Sequence, residues 1–187
     1  AKIAQGSKGE RHVTRFLATL ASATRPMVAA VQGNAVGVGT TMLLHCDLVF
    51  LATTAKLITP FVNLALVPEA ASTWLLPQRI GYARAYAMFA LGEPVDAQTA
   101  FSFGLANAVV APEELRAKAR AAAEALTKRP LGSLIHTKKL MRDAELIKAQ
   151  MARESQIFSE RLMSAEAREA FAAFAEKRPP DFSKIAG

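Results

Sequence analysis

The stretch from Met27 to Thr54 constrains the fold most. It contains "MVAAVQG", a glycine-punctuated segment "NAVGVGTTMLLHCD", and "DLVFLATT". The first and last runs are short, apolar and bounded by turn-forming residues. Such runs read as strands buried on both faces, the kind found in parallel sheets. Between them, Gly37 and Gly39 bracket a tight turn, and Thr40 to His45 read as the helix that leaves it. Strand, helix and strand at this spacing predict an α/β unit with parallel pairing. "AKLITP" adds a third candidate strand.

The flanking sequence is mostly helical. From Glu10 to Leu20, Val13, Phe16, Leu17 and Leu20 fall at i, i+3, i+4 and i+7, the stripe of an amphipathic helix that ends at Arg25-Pro26. "EAASTWLL" predicts a short helix ending at Pro77, with Glu69 in its first turn. Gly81 to Leu91 predicts another, closed by Gly92. Asp96 is placed to cap a helix that stops at Gly104. "LANAVV" reads as a last strand. A helix is predicted over Pro112 to Leu126, with Pro112 at the favoured first position. Three more are predicted over Leu131 to Met141, Ala144 to Met163 and Ala165 to Lys177, and an irregular tail follows.

The 187 residues suit one domain, and 51% hydrophobic with 21% charged residues supports a packed core. Aromatics are only 7%, so aliphatic side chains and alanine must fill it. No apolar run reaches the roughly 18 residues of a membrane span, and "AKIAQGSKGERHV" has no signal-peptide core. A lone cysteine, Cys46, excludes an internal disulfide and paired-cysteine zinc sites. His12, His45 and His136 lack ligand spacing, so no metal is expected. These features set cytoplasmic location as the expectation. The net charge of +7 fits nucleic acid, an anionic surface or a phosphate-bearing small molecule. The basic residues are scattered and lack aromatic interleaving, which argues against nucleic acid.

Two constellations carry chemistry. In "GNAVGVGTT" a glycine-flanked turn runs into a helix and exposes backbone N–H groups, which can bind an anion or stabilise an oxyanion. A tight turn that needs glycine for steric reasons explains the same residues. In "LVPEAASTWLLP", Glu69 is the only ionisable side chain between Leu57 and Gln78. An isolated carboxylate in apolar surroundings has its pKa raised, which suits a general acid/base. Helix-dipole stabilisation is the structural alternative. Cys46 reads as a small buried hydrophobe, because adjacent His45 and Cys46 point in different directions.

Together these residues resemble the crotonase family, the enoyl-CoA hydratases and isomerases. The match runs from about residue 10 to the end and is carried by "RPMVAAVQGNAVGVGTT", "CD", the Pro60 loop, "VPEAASTWLL" and "GLANAVV". The resemblance implies an α/β spiral of repeated ββα units and a C-terminal helical region that builds trimers. Residues 1–125 would be the C-terminal portion of the spiral core, and 126–187 the trimerisation and CoA-capping region. The substrate implied is an acyl-CoA thioester, with no separate cofactor; self-association as a homotrimer or a dimer of trimers follows, without nucleic acid or membrane. Val38 matches a backbone donor to the thioester oxygen. Phe158 and Lys177 match residues at the adenine end of CoA, with Arg178 beside them. Gly37, Gly39, Thr41, Pro60, Phe61, Leu66, Pro68 and Trp74 match the acyl-binding surroundings, with Phe61, Leu66 and Trp74 as apolar walls.

The departures from the family pattern narrow the reaction. The two glutamates that hydratases of the family use fall at Thr41 and Phe61. Water addition needs a base for the water and an acid for the α-carbon, and neither residue supplies one. Pro68-Glu69 is similar to the "PE" of the Δ3-Δ2-enoyl-CoA isomerases, where one carboxylate moves a proton from C2 to C4. Hydration, or a non-catalytic acyl-CoA-binding subunit, remains open at this point. The resemblance also places the family's first strands and a second oxyanion donor ahead of Ala1, so the chain is expected to be part of a longer protein.

Overall fold

The computed structural model describes residues 12–185. Helix α1 (His12–Ser22) buries Leu20 and Ala21 and packs on α8, while Val13 and Phe16 face solvent. Glu10 and Arg11, where the periodicity opens, lie outside the described residues. Next come β1 (Val28–Val31), β2 (Asn34–Val36), and α2 (Val38–Thr41), which tightens into a 3-10 turn over Met42–His45. Strands β3 (Leu48–Ala52) and β4 (Lys56–Ile58) follow, then α3 (Ser72–Ile80) and α4 (Tyr82–Leu91). β5 (Val95–Asp96), α5 (Ala97–Ser102), β6 (Ala108–Val110) and α6 (Leu115–Thr127) lead to the C-terminal helices α7 (Leu131–Met141), α8 (Ala144–Leu162) and α9 (Ala165–Glu176).

The strands form two three-stranded sheets, ordered β1-β3-β6 and β2-β4-β5. β1 and β3 pair in parallel with Val28 opposite Leu48, and β2 and β4 pair in parallel with Asn34 opposite Lys56. Each β-pair therefore sends its first strand to one sheet and its second to the other before a helix begins. Two successive ββα turns stack in this way, which is the spiral expected. β3 is the central strand of its sheet, and Val49 to Ala52 are buried.

Four details differ from the sequence reading. β1 is half-buried, with Ala30 exposed, because it lies at the edge of its sheet rather than inside it. Asn34 to Val36 form a strand, since β4 supplies a ladder that no local pattern reveals. α3 runs through Pro77 to Ile80 and ends at Gly81, whose φ of 81° favours glycine. Proline removes a single donor, and the following turn still closes through Gly81 N–H to Pro77 C=O at 2.9 Å. α6 begins at Leu115, because Pro112 to Glu114 form a turn in which Glu114 N–H bonds Ala111 C=O.

Several helix ends fall where the sequence places them. Asp96 caps α5 through Thr99 N–H, and Gly92 closes α4 in the left-handed conformation. Asp143 and Ser164 cap α8 and α9. The 125/126 boundary falls inside α6, which packs on β1 and β3. No helix among the described residues is long and apolar enough to cross a membrane.

Candidate active site

β2 ends in the turn that the glycines allow. Gly37 has φ 56° and ψ −117°, a backbone region that side chains avoid. Its N–H bonds Ile58 C=O at 2.9 Å, and its C=O accepts the N–H groups of Thr40 and Thr41. Thr40 Oγ1 donates to Ala35 C=O at 2.6 Å and accepts Ile58 N–H at 3.1 Å, bolting the turn to β2 and β4. The N–H groups of Val38 and Gly39 thus lead the helical turn, where a helix has no acceptor of its own. Val38 itself is exposed.

Glu69 lies before α3, not in its first turn. Ala70 and Ala71 are both left-handed, at φ 63° and 56°, and the helix starts at Ser72. Left-handed alanine costs about 1–2 kcal/mol per residue, so other contacts must hold this turn. His45 Nε2 donates to Ala70 C=O at 2.8 Å. Glu154, on α8, accepts Ala71 N–H at 2.6 Å and Thr73 N–H at 3.0 Å, and the Thr73 hydroxyl also donates to it. Ser72 N–H returns to Glu69 C=O at 3.1 Å.

The Glu69 carboxylate has two unlike oxygens. Oε1 accepts the Thr41 hydroxyl at 2.5 Å. Oε2 is buried and has no partner. Burial pushes the Glu69 carboxyl above its ordinary value, the Thr41 hydrogen bond pulls it down, and the charge of Glu154 pushes it up. The isolation read from the sequence is therefore incomplete: a second buried carboxylate stands nearby, contributed by a helix far along the chain.

His45 is fully buried and its pKa is lowered to about 4, first by burial and then by neighbouring cations, Arg142 foremost. It is neutral at ordinary pH. With Nε2 donating to Ala70, its Nδ1 accepts from the Arg142 guanidinium. The sequence reading missed both His45 and Glu154. The signal for Glu154, one charged residue on a long polar helix, is no different from that of its exposed neighbours.

The remaining predicted residues separate. Phe61 is buried in the main core, edge-on to Phe89 at 6.4 Å. Its C=O accepts Leu66 N–H at 2.8 Å, which closes the loop after Pro60, and Leu66 and Pro68 are buried. Trp74 packs against Ala71, Ala21 and Ile147, behind the turn that carries Glu69. Phe158 packs against the main core. Lys177 is the exposed left-handed C-cap of α9. Arg178 is engaged by Glu169 and Glu176, at 2.5 and 2.6 Å. Cys46 is buried and its thiol pKa is raised by burial, as expected of a small hydrophobe. A cavity of about 660 Å³ is lined by Asp47, Arg79, Lys138 and Arg142 rather than by Glu69. Its cations are engaged by Asp47 and by the carbonyls of Arg25, Leu44 and His45. Among the described residues no group of His, Cys, Asp or Glu side chains could hold a metal ion.

A family model described as enoyl-CoA hydratase/isomerase matches residues 2–185. The chain is 34% identical over 170 residues to a probable enoyl-CoA hydratase of Rhodobacter capsulatus, covering 90% of this chain and 66% of that protein. It is 34% identical over 182 residues to 1,2-epoxyphenylacetyl-CoA isomerase of Escherichia coli, covering 95% and 69%. A crystal structure of an enoyl-CoA hydratase/isomerase from Pseudoalteromonas atlantica superposes with a TM-score of 0.91 at 42% identity, covering 95% of this chain and 72% of that one. The chain thus spans about two thirds of the length of the curated relatives it matches.

Proposed function

The chain belongs to the enoyl-CoA hydratase/isomerase family, and from that premise we propose that it shifts the double bond of a 3-enoyl-CoA to the 2-position, with Glu69 as the proton shuttle. The observation that carries this reading is the hydrogen bond from Thr41 to Glu69 Oε1. It orients one oxygen of the acid/base and leaves Oε2 without a partner.

In this reading the thioester oxygen accepts the Val38 N–H. Oε2 takes a proton from C2, so the C2–H bond breaks and an O–H bond forms. The electron pair enters the thioester as an enolate, conjugated with the C3–C4 double bond. Preorganised backbone donors stabilise such charge without reorganising. Oε2 then returns the proton to C4, which leaves the double bond between C2 and C3. Atoms and electrons balance without a cofactor, and coenzyme A enters only as the thioester. A raised carboxyl pKa suits this exchange, because the acid must both take and give the proton. Phe158 and Lys177 would meet the adenine end of CoA.

The names of the relatives favour hydration as the second reading. Against it, Thr41 and Phe61 carry no carboxylate where the resemblance expects two. Glu69→Gln is the test. It should lower turnover of a 3-enoyl-CoA about 10²–10⁴-fold and leave acyl-CoA binding intact. Normal turnover by the variant would exclude Glu69 as the base. Rapid hydration of a conjugated 2-enoyl-CoA by the unaltered protein would replace isomerisation with the second reading.

A further inference from the structure

On the premise that Glu69 is the base, we propose that Glu154 is a positioning residue for it: from α8, its carboxylate locks the left-handed Ala70–Ala71 turn that presents Glu69.

Glu154 is 4% exposed. A buried carboxylate is costly unless hydrogen bonds or an opposite charge compensate it. Among the described residues no salt bridge involves Glu154. Its carboxylate accepts the N–H groups of Ala71 and Thr73 and the Thr73 hydroxyl, all from one segment, and Gln150 on its own helix adds a side-chain hydrogen bond. Gln150, one helical turn earlier, donates to Thr73 Oγ1 at 2.8 Å. That hydrogen bond directs the Thr73 hydroxyl proton toward Glu154. Backbone N–H groups cannot accept, so this partner set fits the ionised form.

α3 has no side-chain cap of its own: its N-cap is Ala71. Glu154 supplies the missing acceptor from 83 residues away. The same contacts hold two consecutive strained residues immediately after Glu69. The path of the chain at Glu69, and hence the aim of Oε2, depends on how α8 docks.

Glu154 also acts through charge. The groups facing Glu69 are Thr41 from α2 and Glu154 from α8. His45 sits under Ala70 and is neutral above about pH 4, with Arg142 behind it. Loss of the Glu154 charge would therefore make Glu69 a stronger acid, and loss of the Thr41 bond would make it a weaker one.

The test compares Glu154→Gln, Thr73→Val and Glu69→Gln in the intact protein, below its melting temperature. Glutamine keeps the shape but turns an NH2 group toward backbone donors. Glu154→Gln should lower kcat for a 3-enoyl-CoA about 10- to 100-fold, as small misplacements do, with KM held within about twofold. The acid limb of kcat/KM should move to lower pH, and the Ala71 and Thr73 amides should exchange faster. Thr73→Val keeps the charge, so it should lower kcat less and leave the acid limb in place. Unchanged kcat and an unmoved limb in Glu154→Gln, with Glu69→Gln inactive, would overturn the positioning role alone. Activity in Glu69→Gln would instead remove the base reading. If Glu154→Gln does not fold, Gln150→Leu and Thr73→Val serve, and unaltered kcat in both overturns the proposal.

Discussion

At the residue scale, the site depends on polar groups buried in unlike ways. Glu69 was legible because no other ionisable side chain lies near it in sequence. Its partners were not, because Thr41 and Glu154 reach it only through the fold. His45 was legible only as a histidine without ligand spacing; its role as a strut under Ala70 needs the tertiary structure. His45 gives a pH prediction. Its folded pKa of about 4 lies below the ordinary histidine value of 6.5. The folded state therefore favours the neutral ring. The stability this provides is fully present above about pH 6.5 and is lost as pH falls toward 4. A gap of this size corresponds to about 3 kcal/mol. Buried Glu69 and Glu154 act in the opposite direction, since their raised pKa values favour the folded state as they protonate. The difference between the unaltered protein and His45→Gln isolates the histidine. Denaturation at pH 7.5 and pH 4.5 should show the unaltered protein losing stability relative to the variant at the lower pH. Parallel pH profiles would count against the assignment.

At the element scale, the glycine turn and the caps show why short motifs read well. Asp96 and Gly92 act through bonds within a few residues of themselves, so sequence spacing sufficed. β2 did not read well, because a three-residue strand exists only by virtue of β4 beside it. The two glycines of the turn make separate predictions. At Gly37 nothing lies within 4 Å of an added Cβ, yet φ is +56°. Gly37→Ala should therefore cost about 1–3 kcal/mol through backbone strain alone. At Gly39 an added Cβ would meet Ala35 Cβ at an ordinary 3.8 Å. Gly39→Ala should be neutral or stabilising, by up to about 1 kcal/mol. Thermal or urea unfolding of the two variants checks the contrast, and equal destabilisation would refute it.

At the scale of the whole molecule, the C-terminal helices leave apolar side chains in solvent. Leu140, Met141 and Phe174 are 89%, 82% and 75% exposed. The trimer implied by the family resemblance would cover apolar surface of this kind. The light-scattering mass of the intact protein should be three or six times that of its chain. The double variant Leu140→Asp and Phe174→Asp should shift it toward the monomer. A concentration-independent monomer for the unaltered protein would exclude the assembly.

The sequence by itself determined the α/β class, most helix boundaries and the glycine turn, and it singled out Glu69 as a candidate. Periodicity, capping and the absence of nearby charge are local properties, written within a few residues of where they act. Only the tertiary structure decided the rest. It set β2 against β4, carried α3 past Pro77 and placed Phe61 in the core. It also brought Thr41, His45 and Glu154 around one strained turn. The strand pairing and the strained turn depend on which distant segments satisfy buried carboxylate and backbone groups. Hydrogen-bond donors and acceptors are matched across space, and no spacing along the chain records the match.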